Sequence, residues 1–256
     1  MSFTLTAAAL AAALLLGMLG CLELGRRLGR RRLARHPEPE EGVGALDGAV
    51  YGLFGLLIAF TFSGAAARFD ARRDLVVREA NAIGTAYLRV DLLQPEAQAT
   101  LRPLYRRYVE ARLEAHRASQ AREGAPDLSR TAGLQAEIWR TSVAAAQAAR
   151  DPGVVTLVVG ALNEMFDVTT TRLAASRMHP PLVVYALLYL FGLASSLVAG
   201  WAQARNAERS WLHALVYAGA MAASVYVILD MEFPRLGLVR VDDFDRLLAE
   251  VLAGMK

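Results

Sequence analysis

The hydrophobic residues are gathered into four blocks of about 20 residues each, the length that a helix needs to cross about 30 Å of hydrocarbon. The blocks cover about residues 3–23, 45–66, 181–201 and 211–231. Trp201 and Trp211 stand at either end of the short segment between the last two blocks, and tryptophan favours the membrane interface. The pattern predicts four transmembrane helices, of which the last two form a hairpin.

Residues 67–180, between the second and third blocks, show the period of amphipathic helices instead. Leu101, Leu104, Tyr105 and Tyr108 recur at helical spacing, and Asp151 followed by a proline is a typical helix start. Alternation with a period of two is almost absent. We predict an all-α membrane protein with a helical soluble domain inserted between the second and third spans. Its segments are 1–66 with an arginine-rich loop, 67–180, 181–231, and an amphipathic tail at 232–256.

The second block runs into charge without a proline or a turn cluster, as AFTFSGAAARFDARRDLVVREANAIGTAYLR at residues 59–89. This continuity predicts one helix that leaves the membrane and enters the soluble domain. Residues 152–178 are expected to extend the third span in the same way. Orientation stays open, because basic residues flank both the loop after the first span and the ends of the soluble domain.

Composition agrees with a membrane class, since 55% of the residues are hydrophobic and 21% are charged. The single cysteine, Cys21, excludes an internal disulfide. Lys256 is the only lysine among 28 basic residues. This arginine bias fits either GC-rich coding or the handling of anions.

Small residues recur every four positions in two spans, and such rows let helix backbones approach closely. One row is Gly44, Gly48 and Gly52 in the second span, and the other is Gly192, Ser196 and Gly200 in the third. Both predict helix contacts, either within the chain or between protomers.

A second face of interest combines apolar and basic residues of the second span. Phe54, Ile58 and Phe62 share one helical face, which predicts either a hydrophobic pore constriction or ordinary contact with lipid or another helix. Arg68 and Arg72 follow one turn apart. They are expected either to attract anions to a pore mouth or to pair with neighbouring acids.

Polar residues amid apolar ones on the two span extensions predict a structural network, because buried polar groups need partners. The members are Glu79, Asn81, Asn163, Glu164, Asp167 and Arg172. The four histidines are scattered, and catalytic, phosphate-binding and metal-binding motifs are absent from the sequence. We expect no enzyme, no cofactor, no metal and no nucleic-acid partner.

Three stretches carry a family resemblance. They are EANAIGTAYLR at 79–89, NEMFDVTTTRLAASRMHPP at 163–181 and ILDMEFPRLGLVRV at 228–241. Together they resemble the bacterial bestrophin-like domain family over about residues 42–241. The resemblance implies kinship with bestrophins, which are pentameric anion channels with four spans per subunit, a helical domain after the second span, and a narrow neck lined by that span.

The resemblance makes a homo-oligomeric channel the leading hypothesis, with a pentamer favoured. The channel is expected to be a multi-pass protein of the bacterial inner membrane that conducts small anions such as chloride along an axis lined by the second span. Calcium gating is not carried over, because the sequence lacks a convincing calcium clasp. The alternative is a non-conducting scaffold or sensor whose helical domain binds a protein partner.

Overall fold

A computed structural model describes residues 3–36, 43–121, 129–205, 211–233, 238 and 242–255 of the chain. Every regular element in those ranges is helical, which confirms the predicted all-α class. The helices are α1 (Phe3–Arg35), α2 (Val43–Leu88), α3 (Pro95–Ala121), α4 (Ser129–Ala148), α5 (Pro152–Arg177), α6 (Leu182–Ala202), α7 (Trp211–Glu232) and α8 (Asp242–Gly254). Short 3₁₀ segments follow α2 and α6, at Arg89–Leu92 and Gln203–Arg205.

Four helical stretches in the described ranges are long and apolar enough to cross a membrane. They are Thr4–Arg35, Gly44–Leu92, Pro152–Arg205 and Trp211–Glu232. Only 17% of the apolar window of the second stretch is buried inside the subunit. Most of the apolar surface of α2 therefore faces outward from the single chain, as a helix does when it meets lipid or another subunit.

Helix α2 is one unbroken element of 46 residues. At a rise of 1.5 Å per residue it measures about 69 Å, more than twice the thickness of a hydrocarbon core. It contains no proline, and all the residues of its charged half are tolerated in a helix interior. A segment apolar enough to cross a membrane and a charged segment thus belong to the same helix.

The sequence predicts a loop at the arginines that follow the first span. In the structure these arginines continue α1. The helix ends only at Arg35, with Arg32 and Arg35 in its last turn. Arginine is a good helix former, and positive charge near a helix C-terminus is favoured by the helix dipole. The prediction of an arginine-rich loop in this part of segment 1–66 is therefore wrong.

Unit 1 is one of two compact units and comprises Met1–Phe69 and His179–Val239. In it, α1 packs chiefly against α6 and also against α7. Leu14 and Met18 of α1 meet Ala218 and Val225 of α7 in one apolar cluster. Phe54 and Ala65 of α2 join Leu188 and Ile228 in a second buried cluster.

Unit 2 comprises Asp70–Met178 and Arg240–Lys256. Helices α3, α4 and α5 pack in sequence order around a core that includes Ile83, Tyr105 and Leu162, all nearly fully buried. Helix α8 packs on α3, and the Arg106 guanidinium donates to the carbonyl oxygen of Met255. Helix α5 starts at the Asp151 cap, whose side chain accepts from the Gly153 amide at 2.8 Å.

Candidate functional site

The three apolar residues predicted to share one face of α2 differ in burial. Phe54 is only 1% exposed, and its ring tip lies 3.3 Å from where a Cβ on Gly192 would stand. Ile58 is half-buried, and Phe62 is 43% exposed. Successive i, i+4 positions drift by about 40° around a helix, which carries Phe54 inward and leaves Phe62 outside.

Ile58 and Phe62 line an open groove between α2 and α7 in unit 1. Its volume is about 410 Å³, and its other lining residues are Gly55, Ala59, Ala223, Ser224 and Val227. The groove is almost entirely apolar, apart from the Ser224 hydroxyl, which donates to the carbonyl oxygen of Ala220 at 2.9 Å. An apolar surface of this kind repels water and ions unless another helix or lipid covers it.

The two rows of small residues have different surroundings. In the closed row, formed by Gly192, Ser196 and Gly200 of α6, a Cβ on Gly200 would lie 2.0 Å from the Leu22 carbonyl oxygen, so α1 and α6 touch through their backbones. In the open row, formed by Gly44, Gly48 and Gly52 of α2, no heavy atom of the described residues lies within 4 Å of an added Cβ, beyond the helix itself. The closed row is used inside the subunit.

Arg68 is held by a buried carboxylate. Its Nε donates to Glu232 Oε1 at 2.8 Å, its Nη2 donates to the same oxygen, and Glu232 is fully buried. His179 Nδ1 lies 3.6 Å from the other carboxylate oxygen, while its ring stacks on Phe233 with centroids 4.5 Å apart. The charge of Arg68 is therefore largely offset by Glu232.

Arg72 makes two hydrogen bonds to backbone carbonyl oxygens. Its Nε donates to the carbonyl oxygen of Ala175 at 3.3 Å, and its Nη2 donates to that of Met178 at 2.8 Å. These carbonyls lie at the C-terminal end of α5, where a guanidinium satisfies orphan acceptors and complements the helix dipole. Both bonds tie α2 to the end of α5 within unit 2.

Glu79 is the centre of a buried ion cluster in unit 2. The carboxylate is fully buried, and it accepts from Arg112 Nε at 2.7 Å through one oxygen and from Arg172 Nη1 through the other. Both guanidinium side chains are at most 10% exposed. Two buried cations thus share one buried anion, and the cluster joins α2, α3 and α5.

The other predicted network members lie elsewhere. Asn81, Asn163, Glu164 and Asp167 are all exposed on the subunit, so a shared role with Glu79 stays a prediction. Arg112 was not predicted from the sequence, although its position carries a signal of burial. It follows Tyr108 by four residues and therefore continues the buried face of α3.

A hydroxyl chain adjoins the ion cluster. Gln135 donates to the Tyr108 hydroxyl at 3.2 Å, and Thr169 donates to the Met165 carbonyl at 2.9 Å. Tyr108 is therefore the donor in its 3.2 Å bond with Thr169. Burial raises the pKa of the Tyr108 phenol, and the Arg112 guanidinium offsets part of that rise. The phenol stays protonated and acts as a fixed donor.

The matching sequence profile decides the family. Residues 9–243 match the bestrophin-like domain, which is most of the chain. The chain belongs to the bestrophin-like domain family. As a bestrophin-like chain with four long apolar helices, it is a membrane protein. None of the proteins of curated function matches it significantly.

Solved structures of a bacterial bestrophin homolog from Klebsiella pneumoniae share the fold of this bestrophin-like chain. One mutant form of that homolog aligns with a TM-score of 0.63 at 13% identity, covering 93% of this chain and 98% of the other. A second mutant form aligns with a TM-score of 0.65 at 12% identity, covering 95% and 98%. The likeness at such low identity establishes the fold and leaves the chemistry of the side chains to be argued from this chain.

Within the described ranges no three His, Cys, Asp or Glu side chains come close enough to hold a metal ion. Helix α2 itself presents an apolar face at Ile58 and Phe62 and the guanidinium groups of Arg68 and Arg72.

Proposed function

We propose that the bestrophin-like chain assembles with copies of itself, five in the arrangement that the family resemblance favours, into a channel of the bacterial inner membrane. The channel passes small anions such as chloride along an axis lined by α2. The observation that carries the proposal is the outward apolar face of α2, where Ile58 and Phe62 lie beyond the buried Phe54. The proposal includes no enzymatic step.

The constriction is assigned to Ile58 and Phe62. A ring of apolar side chains around a narrow axis can block ions by dewetting, because the unfavourable contact empties the pore of water. Phe54 supports this neck from behind, since its ring packs against Leu188 and Ile228 inside the same subunit. A rigid anchor of this kind holds the backbone of α2 where its next two turns meet the axis.

The attraction of anions is assigned to Arg68 and Arg72. Glu232 offsets part of the charge of Arg68, at a distance of 2.8 Å. Arg72 donates to the carbonyl oxygens of Ala175 and Met178. Several copies of such a group around one axis would raise the local anion concentration.

The test is anion flux from liposomes that contain the purified full-length protein. We expect Ile58→Ala and Phe62→Ala to increase chloride flux, because a wider and less apolar neck dewets less readily. Phe60→Ala is the matched control, since Phe60 lies two residues away, points to another side of the helix and is 69% exposed. Its flux should equal that of the wild type.

Two results would contradict the channel. Equal increases from Phe60→Ala and Phe62→Ala would mean that bilayer disruption, rather than an axis, explains the flux. Absence of flux from the wild type and from both neck variants would favour the alternative, a non-conducting scaffold or sensor whose helical domain binds a protein partner.

A further inference from the structure

A polar cavity of about 210 Å³ lies in unit 1, apart from the α2 face described above. It is formed by the C-terminal end of α1, the start of α2 and the end of α6 with its 3₁₀ segment. The charged and aromatic residues that line it, among those described, are Arg32, His36, Asp47, Trp201 and Arg205. The volume far exceeds what a single water needs.

The cavity lies at the ends of three apolar helices. The apolar run of α6 finishes at Trp201, and that of α1 finishes about two turns before Arg32. Tryptophan and arginine concentrate where hydrocarbon gives way to water. The lining therefore belongs to the membrane–water boundary, at the depth of lipid headgroups.

The side chains that line this cavity suit a phosphate. Among the described residues, two guanidinium groups and an imidazole line it, together with one carboxylate. Guanidinium groups match phosphate oxygens in a planar, two-pronged geometry. The C-terminal ends of α1 and α6 carry partial negative charge, which disfavours an anion. A single arginine would therefore bind phosphate weakly. Arg32 and Arg205 together offset that field.

Asp47 adds selectivity to the site. A carboxylate beside two guanidinium groups suits a ligand that carries a cation next to its phosphate. Phosphoethanolamine has this arrangement, whereas the phosphoglycerol headgroup has no cation. Gly29 lets the wall close, because a Cβ there would stand 2.6 Å from that of Ala204.

We infer that this cavity binds the phosphate of a membrane phospholipid, with a preference for an ethanolamine headgroup. Arg32 and Arg205 hold the phosphate, Asp47 faces the ammonium, and Trp201 borders the glycerol. The inference does not depend on ion conduction, so it stands or falls separately from the proposed channel. A free phosphate ion offers the same oxygens, and the experiment must distinguish the two sources.

The test is native mass spectrometry of the full-length protein in detergent with four separate probes. The probes are phosphatidylethanolamine, phosphatidylglycerol, diacylglycerol of the same acyl chains, and inorganic phosphate. We expect phosphatidylethanolamine to be retained most strongly and diacylglycerol least. Joint Arg32→Gln and Arg205→Gln substitution should weaken retention of both phospholipids by roughly tenfold or more, the effect of losing charge-assisted hydrogen bonds.

Arg31→Gln is the matched control, because Arg31 is an exposed arginine on the same turn of α1 and does not line the cavity. It should retain lipid as the wild type does. Asp47→Asn should remove the preference for ethanolamine and keep phosphate binding. Circular dichroism checks that each variant folds, and the comparison of the wild type with the two phospholipids and diacylglycerol needs no variant.

Three results would overturn the inference. Diacylglycerol retained as strongly as the phospholipids would show that acyl chains alone are bound. An equal loss from Arg31→Gln would show that general surface charge, rather than this cavity, holds the lipid. Binding of inorganic phosphate without phospholipid would rule out the lipid source.

Discussion

The closed row on α6 and the open row on α2 have the same spacing and nearly the same composition, yet they differ in what they contact. Gly200 meets the backbone of α1, with 2.0 Å between an added Cβ and the Leu22 carbonyl oxygen. Gly48 meets no described atom within 4 Å outside its own helix. Close approach on α6 is already used within one subunit, whereas the row on α2 meets no other helix among the described residues.

The difference comes from a third row, on α1. Gly17, Cys21, Gly25 and Gly29 recur every four residues along that helix. A Cβ on Gly25 would lie 2.0 Å from the Leu197 carbonyl oxygen, so the row of α1 faces the closed row of α6. A small-residue row forms a tight contact where a second row matches it, and α2 lacks such a partner among the described residues.

Carboxylates in unit 2 likewise differ in whether they are buried or exposed. The largest effect on the free energy of unfolding is expected from a change to the buried one. Glu79→Gln should lower the free energy of unfolding by about 3–5 kcal/mol, because Arg112 and Arg172 would lose a buried counter-charge. Denaturation in mixed detergent micelles measures the change. Glu164→Gln is the control, since Glu164 is exposed on α5. Equal effects from both would refute the buried cluster.

The closed row gives the next largest effect. Gly200→Ala should destabilise the subunit by about 3 kcal/mol, because the new methyl group overlaps backbone and the two helices must separate. The same denaturation assay applies. Gly52→Ala is the control, and an added methyl there meets open space in the subunit. A stable Gly200→Ala protein would mean that α1 and α6 do not touch as described.

Much of the fold is predictable because its causes are local. Apolar blocks long enough to span a membrane are visible in composition alone, and all four coincide with helices. The continuity of α2 follows from the lack of a proline, and the start of α5 follows from Asp151 and Pro152. The loop predicted after the first span was wrong because arginines mark a membrane boundary without ending a helix.

The site was less predictable because its partners are distant in sequence. Glu232 lies 164 residues from Arg68, and no local spacing joins them. The side chain of Phe54 is buried in the subunit because Gly192 leaves room for its ring. Local patterns group residues by helix face and cannot say which residue on a face meets another helix. Arg112 is the exception, because the helical spacing of the buried residues of α3 predicts that its side chain is buried.

The open row gives the smallest effect on the subunit and the sharpest test of the comparison. Gly48→Leu should change the free energy of unfolding by no more than about 0.5 kcal/mol, because no described side chain opposes it. It should nevertheless reduce the mass of the assembly in native mass spectrometry, since a bulky residue prevents close helix contact between copies. Gly20→Leu is the control, an isolated glycine on α1 with equally open surroundings. If Gly48→Leu keeps the full assembly, the open row faces lipid.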